Sequence, residues 1–121
     1  MALKAILIED SKTIRDNLIP ALSELADVAV IAVAETEDEA IQAFNERPDW
    51  DLAIVDLFLR QGTGLTVLRN CQDRQSHQHA IVLTNYPNPE IRSRCMAVGA
   101  DAVYDKSKDL EAFFEQCLRY R

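Results

Sequence analysis

Five polar residues follow or close short apolar runs. Glu9 and Asp10 come after Leu3 to Ile8, Asp56 after Leu52 to Val55, Thr84 after Ala80 to Leu83, and Lys106 just beyond Ala102 to Tyr104. Their types suit one chemistry. Three carboxylates brought together without a cation repel one another and raise each other's pKa, so a hard divalent ion such as Mg²⁺ fits among them. Thr84 brings a hydroxyl donor and Lys106 a compact positive charge, both suited to phosphate oxygens. The chemistry implied is phosphoryl transfer, where positioning and charge neutralisation do nearly everything. Asp56, in the middle, is the natural nucleophile and would form an aspartyl-phosphate. Each residue also has a plain reading: Asp56 as a turn residue, Glu9-Asp10 as a helix cap, Lys106 as a solvated charge. The chemical reading therefore depends on elements that bring all five to one place.

Parallel strands do so, because their carboxyl ends share one edge of the sheet. Leu52 to Val55 is too short for a helix and is of the kind buried on both faces of a parallel sheet. Leu3 to Ile8, the β-branched Val28 to Ala34, Ala80 to Leu83 and Ala102 to Tyr104 read as the other strands. Between them the spacing predicts helices. The first runs from Lys12 to Ala26 on Ile14, Leu18, Leu22 and Leu25, with a kink expected at Pro20. The second runs from Glu37 to Arg47 on Ala40, Ile41 and Phe44, with Thr36 and Glu39 as a capping box and Pro48 at its end. A third is opened by Thr63-Gly64 and continues through Leu65, Val67, Leu68 and Cys71. A fourth runs from Glu90 to Val98 and is ended by Gly99. The last runs from Leu110 to Tyr120, burying Phe113, Phe114, Cys117 and Leu118. The polar run Gln72 to Gln78 reads as a surface loop, with His77 and His79 as exposed histidines. Strands alternating with helices predict a doubly wound α/β fold with right-handed crossovers.

The 121 residues are expected to form one domain, residues 1–121, with a core that needs no disulfides. A formal charge of −7 argues against this domain gripping nucleic acid directly. No apolar run is long enough to span a bilayer, and no basic leader is present, so a cytoplasmic location without membrane contact is expected. Cys71, Cys95 and Cys117 lie far apart and read as small core residues.

In their joint order and spacing these residues resemble the receiver domain of bacterial two-component response regulators. The marks are Ile8-Glu9-Asp10-Ser11, Val55-Asp56-Leu57 with Gly64 eight residues on, Leu83-Thr84, Gly99-Ala100-Asp101 and Lys106. The resemblance covers essentially the whole chain and implies a five-stranded sheet in the order 2-1-3-4-5. It implies that Asp56 is the phosphoacceptor, and that Asp10, Asp56 and the carbonyl of Phe58 bind Mg²⁺, with Glu9 acting directly or through water. Thr84 and Lys106 would hold the phosphoryl oxygens. The phosphodonor would be a sensor histidine kinase or a phosphotransfer protein. The signal would pass through the face of helix four, strand five and helix five to a downstream protein or output domain. Such a chain is no enzyme toward other substrates; it promotes its own phosphorylation and slow dephosphorylation.

The chain departs from the family at several positions. Arg60 and Ser107 stand where prolines are usual, and Asn85 where a small residue is. Val103 holds the place of the switch aromatic, while Tyr104, one residue on, should face the other side of the sheet. Rival readings fare worse. Glu9-Asp10-Ser11 would repel a flavin phosphate, no GxxxxGK[ST] is present, and an aspartate-based phosphatase would want an Asp where Phe58 stands. A degenerate receiver, acting only by protein contact, would not need its acidic pair, Asp56 and Lys106 intact. Mg²⁺ is expected to change the fluorescence of Trp50 if that residue lies near the site.

Overall fold

The computed structural model describes residues 2–121. Five strands, β1 (Leu3–Ile8), β2 (Val28–Ala34), β3 (Leu52–Val55), β4 (His79–Thr84) and β5 (Ala102–Asp105), form one parallel sheet in the order β2-β1-β3-β4-β5. Five helices alternate with them: α1 (Lys12–Ala26), α2 (Glu37–Glu46), α3 (Gly64–Asn70), α4 (Pro89–Ala97) and α5 (Leu110–Tyr120). The expected doubly wound α/β fold is the one observed. The strand order reverses between β1 and β3, so a crevice opens at their carboxyl ends.

The sheet separates two apolar layers. Ala40, Ala43, Val67, Leu68 and Cys95 cover one face from α2, α3 and α4. Leu18, Leu22, Phe113 and Cys117 cover the other from α1 and α5. Every side chain of β3 is buried, as a central parallel strand requires. Phe113 alone, fully enclosed, contributes roughly 2–3 kcal/mol of burial free energy. All three cysteines are buried and unpaired.

Local chemistry fixes the helix starts. Ser11, Thr36, Thr63 and Asn88 each accept a backbone N–H from three residues on. The capping box of α2 is only half formed: Glu39 Oε1 takes the N–H of Glu35, not that of Thr36. Pro20 lies within α1, which continues as a helix on both sides of it. Arg47 and Cys71 prove to be C-caps, and α4 starts at Pro89 and ends one residue before Val98. Gly99 follows with φ +102°, the positive φ expected of a helix terminator.

Some core assignments shift. Leu25 and Leu118 are exposed, at 58% and 41%, because each sits just off the inward stripe of its helix. In α2 the small Ala43 joins Ala40 against the sheet, while Ile41 and Phe44 are half-buried. Phe44 tilts against the buried Trp50, ring centroids 5.2 Å apart. His79 is not a loop residue. It opens β4 and stacks flat on Tyr120 at 3.8 Å. The run 72–78 is the surface loop expected, with five of its seven residues exposed, but Arg74 is half-buried and Gln78 buried. Arg74 donates to the carbonyls of Cys71, Gln78 and Gly99, and Gln78 donates to those of Pro48 and Trp50. Polar side chains are buried here because each satisfies backbone groups left open between elements.

Candidate functional site

Strand register brings the five residues together. Ile8 pairs with Val55, so Glu9 and Asp56 leave adjacent strands side by side, and the Asp56 N–H donates to the Ile8 carbonyl at 2.9 Å. Thr84 pairs with Asp105, and the Lys106 N–H donates to the Thr84 carbonyl at 3.0 Å. The Lys106 ammonium, 97 residues from Glu9 in sequence, donates to Glu9 Oε1 at 2.5 Å. It also lies 3.2 Å from Asp56 Oδ2. Glu9, Asp56 and Thr84 are buried.

Glu9, Asp10 and Asp56 each offer a carboxylate oxygen, all within 4.8 Å of one another. One ammonium against three carboxylates leaves the cluster short of positive charge, which a hard, oxygen-seeking cation would supply. Asp56 registers the imbalance. Burial pushes its carboxyl up to about 6, Lys106 opposes the rise, and the charge of Glu9 adds to it. Glu9 is committed on both oxygens, Oε1 to Lys106 and Oε2 to the N–H of Ser11 at 3.0 Å. Half-buried Asp10 has no such commitment among the described residues.

The turn after Asp56 is held tightly. The Phe58 N–H lies 3.5 Å from Asp56 Oδ1, and Phe58 bridges Thr63 across the turn. Gly64 packs so close that a Cβ there would stand 2.3 Å from the Asp56 carbonyl oxygen. The turn is also clasped to the start of α2. Gln61 accepts the N–H of Glu37 at 2.9 Å, and Glu37 Oε1 accepts that of Thr63 at 3.2 Å. Gly62, at φ +78°, lies against the Glu37 side chain, leaving no room for a Cβ.

A second tie runs through Glu35. Its carboxylate meets Arg15 at 2.8 Å and Arg60 at 3.4 Å, and Arg15 donates to the Glu9 carbonyl at 2.8 Å. Arg15, Glu35, Glu37 and Gln61 were not legible as site residues. Only the coincidence of Glu35 and Glu37 flanking the Thr36 cap could have hinted at them.

Two exposed aromatic rings come from the turns that follow Asp56 and Thr84. Phe58 and Tyr86 follow Asp56 and Thr84 by two residues, are 59% and 65% exposed, and meet edge to face at 6.2 Å. The Thr84 hydroxyl accepts the Tyr86 N–H at 3.2 Å. Val103 is buried on the α4 side of the sheet and Tyr104 packs on the α5 side, as alternation demands. There is no cis peptide bond among the described residues, so Lys106-Ser107 is trans. Trp50 precedes β3 while Asp56 follows it, so its ring lies at the opposite edge of the sheet and is no local reporter of the site.

The model of the response regulator receiver domain family matches residues 5–117. The DNA-binding transcriptional activator DevR/DosR of Mycobacterium tuberculosis is 26% identical over 98 residues, 80% of this chain and 44% of that protein. The chain thus spans less than half the length of that curated relative. Among solved structures, a LuxR-family DNA-binding response regulator from Staphylococcus aureus matches with TM-score 0.86 at 19% identity, covering 98% of both chains. A chain of the CheX-CheY-BeF3-Mg²⁺ complex from Borrelia burgdorferi matches with TM-score 0.78 at 18% identity, over 94% of this chain and 88% of that one. At such identities the two structures speak for the fold alone.

Proposed function

The chain belongs to the response regulator receiver domain family, and on that premise we propose that it accepts a phosphoryl group on Asp56 from a histidine kinase or phosphotransfer protein. The observation that carries this reading is the convergence of Lys106 and the carboxylates of Glu9 and Asp10 on the buried Asp56. An Asp56 oxygen attacks the phosphorus as the bond to the donor's histidine nitrogen breaks, and the departing imidazole keeps that electron pair. Asp56 titrates near 6, so at neutral pH it is mostly the carboxylate this step needs. Lys106 and Thr84 receive the phosphoryl oxygens. Asp10, Asp56 and the Phe58 carbonyl would hold Mg²⁺, with Glu9 acting directly or through water. When bound, the ion neutralises charge on the transferring group.

The chain catalyses nothing beyond its own phosphorylation and slow dephosphorylation. Its output passes to a downstream protein or an output domain through the face of α4, β5 and α5. The match to a DNA-binding activator fits a transcriptional output, with DNA contact made outside this acidic domain. No helix among the described residues is long and apolar enough to cross a membrane, which fits a cytoplasmic signalling role.

Mg²⁺ titration tests the ligand set. Asp10→Ala should lose more affinity than Glu9→Ala, because Glu9 already spends both oxygens on Lys106 and Ser11. Label from a small phosphodonor such as acetyl phosphate should enter the wild type only with Mg²⁺ present. Equal Mg²⁺ affinities in the two variants would count against the ranking, and labelling in excess chelator would count against the mechanism.

A further inference from the structure

Arg92 lies outside the site, yet its guanidinium touches three separate parts of the fold. Nε donates to the Pro87 carbonyl at 3.0 Å, in the turn that follows Thr84. Nη1 donates to the Val103 carbonyl at 2.8 Å on β5, the last strand of the sheet, which has no further strand to take that bond. Nη2 stands 3.9 Å from Asp109 Oδ2, the carboxylate that accepts the Asp105 N–H just ahead of α5. A planar guanidinium spreads its donors over a rigid fork, so it can reach acceptors on three separate elements, whereas an ammonium's three donors all radiate from one nitrogen. The helix that carries it is otherwise thinly seated, since Cys95 is its one fully buried residue.

We propose that Arg92 is a latch: it positions the Thr84–Pro87 turn in the resting arrangement and thereby opposes phosphorylation of Asp56. The proposal rests on the reading of Asp56 as phosphoacceptor. In this structure the Thr84 hydroxyl accepts the Tyr86 N–H, the Tyr86 carbonyl accepts the Asn88 N–H at 2.9 Å, and Asn88 caps α4 through Ile91 at 2.9 Å; the latch takes this as the resting arrangement. A phosphoryl group that draws Thr84 toward Asp56 pulls on this chain and moves the Pro87 carbonyl. Arg92 then cannot keep Pro87, Val103 and Asp109 together. Contacts made only in the resting state weaken any ligand that favours the other state, and the coupling is reciprocal.

The test is binding of beryllofluoride with Mg²⁺, a phosphoryl mimic, to wild type, Arg92→Ala and Arg92→Gln, followed through the Ile91 methyl resonances. Arg92→Ala should bind about three- to tenfold more tightly, the worth of one net hydrogen bond at a half-exposed side chain. Arg92→Gln, with one donor group and no fork, should fall between. General damage to the fold would weaken binding, so tightening is a readout that a merely structural role does not give. If one variant fails to fold, the other carries the test. A folded variant that binds no tighter than a binding wild type overturns the latch. Wild-type protein that binds no beryllofluoride overturns the reading of Asp56, and the latch with it.

Discussion

The role proposed for Asp56 sets two demands in conflict: the carboxylate must be buried to be held still and ionised to attack. Without metal, burial and the neighbouring Glu9 charge make its ionised form costly, and Lys106 offsets only part of that cost. In chelator, Asp56→Asn should therefore be more stable than wild type at pH 7, by on the order of 1 kcal/mol, since Lys106 loses a partner in exchange. The sign follows from linkage. The folded carboxyl titrates near 6 and the unfolded one near 3.8. The cost is absent below about pH 4, grows through the window between the two values and is full above it. Urea denaturation across pH checks this, and an advantage that persisted at the acid end would contradict it. A second prediction is that the rings of Phe58 and Tyr86, which meet edge to face two residues beyond Asp56 and Thr84, hinder the approach of water to a phosphoryl group on Asp56. Replacing both with small polar residues should shorten the phosphoprotein's lifetime several-fold; unchanged decay would show that the rings do not shield it. The five strand-end residues were legible because each interrupts an apolar run. The partition of roles was not, because Glu9 and Lys106 meet across 97 residues of sequence.

Among the elements, the start of α2 does more than continue the fold. It holds the turn after Asp56 through Gln61 and Thr63, and through Glu35 it reaches both Arg15 and Arg60. Arg60 thus has an ionic tether where the family has a proline. Glu37→Ala should weaken Mg²⁺ binding by about threefold, one modest hydrogen bond's worth. Glu37→Gln should stay near wild type, because its amide oxygen can still accept the Thr63 N–H. Calorimetric titration of the two separates these outcomes, and equal losses would point to charge instead of geometry. Helix and strand identities were legible from periodicity and caps. Inner faces were less so, as Ala43 shows: small residues carry little hydropathy signal yet let α2 lie close to the sheet. The edge strand β2 held another illegible feature. Ala5 and Ile6 of β1 pair with Val30 and Ala32, leaving Ile31 of β2 as an extra residue, and Arg47 donates to the Ile31 carbonyl at 3.3 Å. Together these blunt an apolar edge that would otherwise invite another strand.

Across the whole molecule, the proposed output through the α4–β5–α5 face requires a change at Asp56 to reach it without a switch aromatic. Val103 is buried, β-branched and short, with few rotamers to offer. The element left to move is the turn from Thr84 to Pro89 together with α4. Methyl NMR with beryllofluoride and Mg²⁺ should show large shifts at Ile91 and an unchanged Val103 rotamer; a Val103 rotamer change beside a static turn would mean that a smaller side chain has taken over the switch. All of this presupposes that Asp56 takes the phosphoryl group, and intact-mass analysis after incubation with acetyl phosphate and Mg²⁺ tests that most directly. Wild-type chain should gain one phosphoryl group, and Asp56→Asn should gain none. A wild-type-sized gain in Asp56→Asn would contradict the account.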